Sequence, residues 1–562
     1  MQKHRRHLSL SLTLLATAAC TIYLLPARRV SRQSHVDDLH HSSSTRHLHA
    51  LAQFNDPTTV EFKHPIHFSK SKAYDVKEPS TRKVKPYNIE SVLRTIKAFR
   101  YQAFFFVYHS TKDEFIVIHN QAGCDFGCAR IYRIASILAF ALRHNFPQRF
   151  HGNEDFVLLL STGDVPRLHA QCVAGHCLAE DFAPILQFGS MYDASILPSG
   201  IAMPMPVKPH LPCFDSWQQS IFRDKTGGRV CGYLLPERIS SEQSDPKAVM
   251  MQHGLIFRED FSWAELIPQI VWRGTDFVFL HSMFHEMRAP DYNADVKPKI
   301  ATLNDRDDVT RAAIRALWEL GDEVLLPRWR GVLLTSEAEL EAKELSTKQP
   351  NSNLLPWINI KFASSAISSK KIPASQNHNL LALQSVGITA IGEYISVQEQ
   401  SKYKYHIDLG GGGGTTWTGT IEKLAMPGVL FHHVTPTTDY FYNRLIAWVH
   451  YIPVRADLSD LREKFDWAEA HPGEAQKIAA AGTEFAKWVG TVDGFATMYQ
   501  EYLVDPLKQC LEAYIPLDKE IFGDKTVMDL IDERGDDSWH VVAICSGLHV
   551  ESCRDLNGTK VT

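Results

Sequence analysis

Residues 403–454 read YKYHIDLGGGGGTTWTGTIEKLAMPGVLFHHVTPTTDYFYNRLIAWVHYIPV, and they restrict the fold more than any other stretch. Alternating side chains over 403–409 predict a half-buried strand. Gly410 to Gly414 follow, and Thr415 and Thr416 are N-cap residue types for a helix that closes near Met426-Pro427-Gly428. Glycine lets backbone approach a ligand closely, the first N–H groups of a helix have no internal acceptors, and the helix dipole favours negative charge. Strand, glycine loop and helix start therefore form a cradle for an anion. It is not a Walker loop, because no Gly-Lys-Ser/Thr ends it. A second strand at 429–434, a helix at 438–446 and a third strand at 448–454 are expected to complete an α/β unit around the cradle.

The chain has 562 residues, ample for two core-bearing domains. A formal net charge of −5 gives no electrostatic footprint for nucleic acid, so that class is excluded. Lys3, Arg5 and Arg6 precede an apolar run over 8–25, which Pro26-Ala27-Arg28-Arg29 closes. The run fits a membrane span or a signal-peptide core, and small residues at 16–19 would permit cleavage. Basic residues on both flanks and the polar segment after it favour an uncleaved anchor. The expected organisation is a cytosolic tail (1–7), a signal anchor (8–26), a stem (27–86), two α/β domains (87–263 and 264–504) and a tail of unassigned fold (505–562). Of ten cysteines, Cys20 lies in the span; the other nine would meet an oxidising lumen, where disulfides are the default. Cys124/Cys128 and Cys172/Cys177 could instead ligate zinc, although neither pair has zinc-ribbon spacing. Asn557-Gly558-Thr559 is a glycosylation sequon.

Further upstream, helices are expected at 87–100 and 130–144, with strands at 104–109 and 114–119 joined by a turn at 111–113. The apolar strand 156–160 runs into Ser161-Thr162-Gly163-Asp164-Val165-Pro166. Asp164 either faces a ligand at a strand's carboxyl end or caps the turn before Pro166. A buried strand at 270–272 is followed by Arg273-Gly274-Thr275. The Arg fork matches phosphate oxygens and Gly permits close approach, the alternative being a surface Arg at a strand end. Asp305 and Asp307 could hold a divalent metal or cap the helix at 310–320; with no apolar strand leading into them, capping is favoured. Arg328, Arg330, Lys361 and Lys423 are further cations. Beyond residue 454 the spacing is helical at 458–470, 473–488 and 492–502.

Several of these pieces share an order. Tyr403-Lys404-Tyr405, the glycine turn with its Thr-rich helix start, Phe441-Tyr442, the run Trp448-Val449-His450-Tyr451-Ile452-Pro453-Val454 and Asp457-Leu458-Ser459 resemble the carboxyl-terminal part of the protein O-glucosyltransferase (Rumi-like) and fungal capsule-associated glycosyltransferase family. Trp272-Arg273-Gly274-Thr275 is similar to the family's donor-phosphate motif, and Asp164, two residues before Pro166, to its catalytic Asp. The resemblance implies a GT-B-type α/β architecture of two Rossmann-like domains facing a cleft. It also implies an inverting transferase that moves sugar from UDP-glucose or UDP-xylose to a hydroxyl of a protein or glycan acceptor. Asp164 would be the base, and Arg273, Gly274, Thr275, Gly411, Gly412, Gly413, Gly414, Thr415, Thr416 and Thr418 would hold the donor. No cofactor or obligatory metal is expected, and the setting would be the Golgi or ER membrane, type II. Three departures stand out: Gly163 and Asp276 replace arginines found in many relatives, and Thr420 stands near a helix Arg of the family. Arg328, Arg330, Lys361 or Lys423 would have to supply the charge missing at Thr420. The rival readings are a non-catalytic nucleotide-sugar-fold scaffold and a metal-dependent transferase built on Asp305 and Asp307.

Overall fold

Three consecutive phenylalanines open the first strand, and all of them are buried, so this strand has apolar layers on both faces. The computed structural model describes residues 84–99, 103–120, 128–152, 154–161, 182–187, 189–191, 202–204, 262–275, 286–304, 308–321, 323–349, 354–363, 374–410, 419–435, 437–489, 497–534, 539–548 and 552–558. The expected anchor at 8–26, Asp164, Asp305, Asp307, Gly411 to Gly414, Thr415, Thr416 and Thr418 lie outside the described residues. So do Cys124, Cys172 and Cys177. Among the described residues no helix is long and apolar enough to cross a membrane.

Helix α1 (Ile89–Phe99) leads to β1 (Phe104–His109) and β2 (Glu114–Asn120), followed by α2 (Cys128–Asn145) and β3 (Phe156–Leu160). Short strands β4 (Ile185–Gln187), β5 (Gly189–Met191) and β6 (Ala202–Pro204) come next. The expected hairpin forms, with β1 and β2 antiparallel and Asp113 in the left-handed region at φ 52°. The Asp113 carboxylate accepts from the Tyr108 hydroxyl at 2.7 Å, which ties the turn to its own strand.

The second half opens with β7 (Ile267–Gly274), α3 (Val309–Trp318) and α4 (Pro327–Lys348). It continues through β8 (Ile358–Ala363), β9 (Ile391–Gly392), β10 (Tyr403–Ile407), α5 (Gly419–Ala425), β11 (Val429–His433), β12 (Thr437–Asp439) and β13 (Ile452–Val454). Helices α6 (Leu461–Ala470), α7 (Pro472–Val489) and α8 (Asp505–Ala513) then lead to the closing strands β14 (Trp539–Cys545) and β15 (Cys553–Arg554).

Two main sheets result. One runs β15-β14-β2-β1-β3-β4-β6, so the tail that sequence left unassigned supplies two strands of the amino-terminal sheet. A disulfide between Cys545 and Cys553 closes that terminal hairpin, and Cys510 is buried. The other sheet runs β9-β8-β7-β10-β11-β13, and every neighbouring pair in it is parallel. Counted along the chain, this is the 3-2-1-4-5-6 order of doubly wound nucleotide-binding sheets. The chain leaves β7 toward one edge and β10 toward the other, so the topological switch point lies between those two strands.

Two expectations need correction. No helix forms over 438–446: β12 pairs antiparallel with β5 instead, and a short 3-10 turn, Tyr442–Arg444, follows. That turn buries Tyr442, while Tyr440 and Phe441 are buried beside it, so it satisfies the same apolar positions a helix would have used. The expected strand at 448–454 begins only at Ile452, because Trp448 adopts φ 63° and the backbone turns there.

Candidate functional site

Both segments with phosphate-binding character end at the switch point. Arg273-Gly274-Thr275 closes β7, and Asp408-Leu409-Gly410 follows β10. Ligands of open α/β sheets bind outside the carboxyl ends of the strands at this position.

Local packing explains the residue types. A Cβ on Gly274 would lie 2.3 Å from the Trp272 ring, so Gly at that position lets the indole fold over the strand end. The Arg328 guanidinium lies over the same indole, 4.9 Å from the ring centre. Arg328 is buried; its Nη1 donates to the Thr275 carbonyl at 2.6 Å and its Nη2 to the Leu409 carbonyl at 3.2 Å. One guanidinium thus bridges the ends of β7 and β10. Arg273 donates to the carbonyls of Trp272, Asn359 and Glu393 at 2.8–3.0 Å, an arrangement that clamps neighbouring strand ends.

The four additional cations separate by position. Lys361 is paired with Glu339 at 2.5 Å, and Arg330 donates to the Asp457 carbonyl at 2.5 Å and lies over Trp318. Neither reaches the switch point through these contacts. Lys423 is different. Burial lowers its pKa, Glu422 and Asp408 oppose that shift, and Arg328 adds to it, so this ammonium shares an electrostatic neighbourhood with the bridging Arg.

Sequence reasoning missed the carboxylate that organises the site. Asp408 is fully buried, and its Oδ2 accepts from Thr420 Oγ1 at 2.7 Å and from His432 Nδ1 at 2.6 Å. Its Oδ1 accepts the His433 backbone N–H at 2.8 Å. An ionised carboxylate only accepts, so His432 carries its proton on Nδ1. Asp408 precedes the glycine loop and Thr420 begins the helix after it, so this one side chain fixes both ends of the loop. Thr420, read from sequence as a lost cation, is a buried hydroxyl with a structural partner. The available signal was an Asp at a strand's carboxyl end, next to a glycine run.

The profile of "Glycosyl transferase family 90" matches residues 371–519. Over that stretch the chain is similar to this family. Similarity to curated proteins is local. Protein O-glucosyltransferase 2 of Danio rerio is 44% identical over 101 residues, 17% of this chain and 19% of the relative. Protein O-glucosyltransferase 1 of Rattus norvegicus is 36% identical over 88 residues, 16% of this chain and 22% of the relative. Protein O-glucosyltransferase 3 of Homo sapiens is 33% identical over 92 residues, 15% and 17% respectively. The chain therefore aligns with only about a fifth of the length of these relatives.

The family 90 region supplies β9, β10, β11 and β13, and with them one side of the switch point; β7 and Arg328 come from outside it. Within the family 90 region, His433 anchors the first glycine. The Gly410 N–H donates to His433 Nδ1 at 3.3 Å, and Nε2 donates to the Ala456 carbonyl at 2.9 Å. These contacts require the neutral Nε2–H tautomer, and burial pushes the imidazole pKa down to about 4. The folded value is below the unfolded value of about 6.5, so the unfolded chain binds more protons between the two. The stability that neutral His433 contributes is complete above about pH 6.5 and is lost progressively as pH falls through about 4. Melting temperatures of wild type and His433→Gln are therefore expected to be furthest apart near neutral pH and to converge in acid. A gap that stays constant over that range would reject this assignment.

Proposed function

We propose that this chain is an inverting glycosyltransferase that moves glucose or xylose from a UDP-sugar to a hydroxyl of a protein or glycan acceptor. One observation carries the reading: both phosphate-type segments meet at the switch point of a doubly wound sheet, where Arg328 joins them and a family 90 region supplies one side. The parallel sheet would be the donor-binding half of a GT-B-type pair, and the mixed sheet would serve the acceptor.

In this reading Asp164 takes the proton from the acceptor hydroxyl as its oxygen attacks the anomeric carbon. The bond to UDP breaks, and the diphosphate leaves with new negative charge. Arg328, Lys423 and the N–H groups of the loop at Gly411 to Gly414, Thr415, Thr416 and Thr418 stabilise that charge, with Arg273 behind them. These positive groups are the reason for proposing turnover without an obligatory metal, and chelator-resistant turnover is the matching expectation. The disulfide Cys545–Cys553 supports an oxidising compartment such as the ER or Golgi lumen. Exposed Asn557 would be available for glycosylation there.

The test is a panel of UDP-sugars with the purified protein and crude acceptor extracts, reading both UDP release and mass gain on the acceptor. Acceptor-dependent UDP release from UDP-glucose or UDP-xylose is expected; its absence across the panel would leave the non-catalytic scaffold. For the site itself, Arg328→Met is expected to weaken UDP binding about ten- to a hundred-fold, the worth of a charge-assisted phosphate contact. Lys361→Met, which removes a cation already paired with Glu339, is expected to change UDP affinity less than threefold, on the scale of a surface pair. Equal effects of the two substitutions would reject Arg328 as the phosphate cation.

A further inference from the structure

The connection from β11 to β13 leaves the parallel sheet and returns to it, yet the other half of the molecule holds it in between. Its first part, β12, pairs antiparallel with β5 in the register Thr437 with Met191, Thr438 with Ser190 and Asp439 with Gly189. Strand β5 begins two residues after β4 ends, and β12 begins four residues after β11 ends. Each therefore extends from the carboxyl end of a strand, one in either main sheet, and the ribbon they form joins those two ends.

The next part of the connection is clamped as well. Tyr440, Phe441 and Tyr442 are buried in the same continuous apolar core as Phe105 and Leu159 of the mixed sheet. The Tyr502 hydroxyl donates to Asn443 Oδ1 at 2.6 Å and accepts from Arg444 Nε at 3.1 Å, and Arg444 forms an ion pair with Glu501. Tyr502 lies in the helical turn Gln500–Val504, which runs straight into α8. At the end of α8 the Ala513 carbonyl accepts the Tyr87 N–H at 2.9 Å, and the Tyr87 hydroxyl donates to the Val157 carbonyl of β3 at 3.4 Å. Two halves of a chain move against each other by default, and a shared apolar core is what prevents it. This connection has such a core on one side and a backbone ladder on the other.

The ribbon also completes a path of hydrogen bonds between the two sides of the site. His433, the last residue of β11, donates its N–H to Asp408 beside the glycine loop. On the other side the Leu186 carbonyl of β4 accepts the Ser161 N–H, three residues before Asp164. We propose that the β5–β12 ribbon and the turn after it are a positioning element. They hold the carboxyl ends of the two sheets at one separation throughout donor binding and turnover, so the halves do not open and close at this joint. The kinetic consequence rests on the transferase reading; the fixed joint does not.

The experiment locks and then loosens the joint in the full protein. Ser190→Cys combined with Thr438→Cys places thiols on register partners, a separation across an antiparallel ladder that a disulfide spans. With the crosslink formed, UDP affinity and turnover are expected to stay within about twofold of wild type. A loss of about tenfold or more in either would mean that the joint must open, and would overturn the proposal. Arg444→Ala loosens the clamp and is expected to lower kcat about tenfold at unchanged UDP affinity, as small misplacements of reacting groups do. Adding the crosslink to that variant is expected to restore most of the rate; a loss that the crosslink does not rescue would make Arg444 a merely structural residue and overturn the positioning role. A third arm needs no turnover. Hydrogen exchange at the amides of 437–439 is expected to be equally slow in the free and the UDP-saturated protein, and rapid exchange there, or a change on adding UDP, would overturn the fixed joint. Slow exchange in a protein that turns over no donor would reject the transferase reading alone.

Discussion

Replacing Asp164 by Asn is expected to lower turnover by about 10²–10⁴-fold, the usual worth of positioned acid–base catalysis, while UDP affinity stays the same. The reasoning begins with β3. All five of its residues are buried; it pairs antiparallel with β1 and parallel with β4, and the Ser161 N–H donates to the Leu186 carbonyl at 2.8 Å. A firmly paired strand thus ends four residues before Asp164, and ligands of α/β sheets bind beyond the carboxyl ends of strands. Asn preserves size and hydrogen bonding but cannot accept the proton. The wild-type rate should therefore decline on the acid side, and that limb should be absent from the mutant. Turnover and melting temperature measured on one preparation decide the matter. A less stable Asn variant with near-normal turnover per folded molecule would make Asp164 a turn cap.

Replacing Asp408 by Ala is expected to lower global stability by about 3–5 kcal/mol, as when one member of a buried charged network is removed. Three donors lose their acceptor at once: the Thr420 hydroxyl, His432 Nδ1 and the His433 backbone N–H. All three are buried, so water cannot replace the carboxylate without opening the site. Urea denaturation measures the loss. Asp408→Asn keeps an oxygen for the His433 N–H and is expected to lose less. A deficit under about 1 kcal/mol for the Ala variant would mean that the network relaxes at little expense, contrary to a tight tie between the ends of the glycine loop.

Much of the parallel sheet was legible because its signals are local. Alternation marked β10, an apolar run marked β7, and the glycines marked the connection out of β10, while in the mixed sheet an apolar run likewise marked β3. Tertiary contacts decided the rest. Thr437 to Asp439 became a strand because β5, far away in sequence, offers an antiparallel edge. Asp408 was silent because its carboxylate partners, Thr420 and His432, lie 12 and 24 residues downstream. Charge alone could not rank Arg328 above Lys361 or Arg330; only the carbonyls and carboxylates that each one meets separate them. The tail carried no motif that marks a fold, yet Trp539 to Cys545 runs beside β2 for its full length.

That last pairing sets a condition on biosynthesis. Strand β2 must wait for β14, a partner made several hundred residues later, and ribosomes adding about 5–20 residues per second need on the order of tens of seconds to reach it. Throughout that interval the nascent chain displays an unpaired, apolar edge, the kind of surface that seeds misassembly. The protein is thus predisposed to depend on chaperones that shield β2 until β14 has been made, and a stop codon placed before Trp539 would leave that edge permanently open.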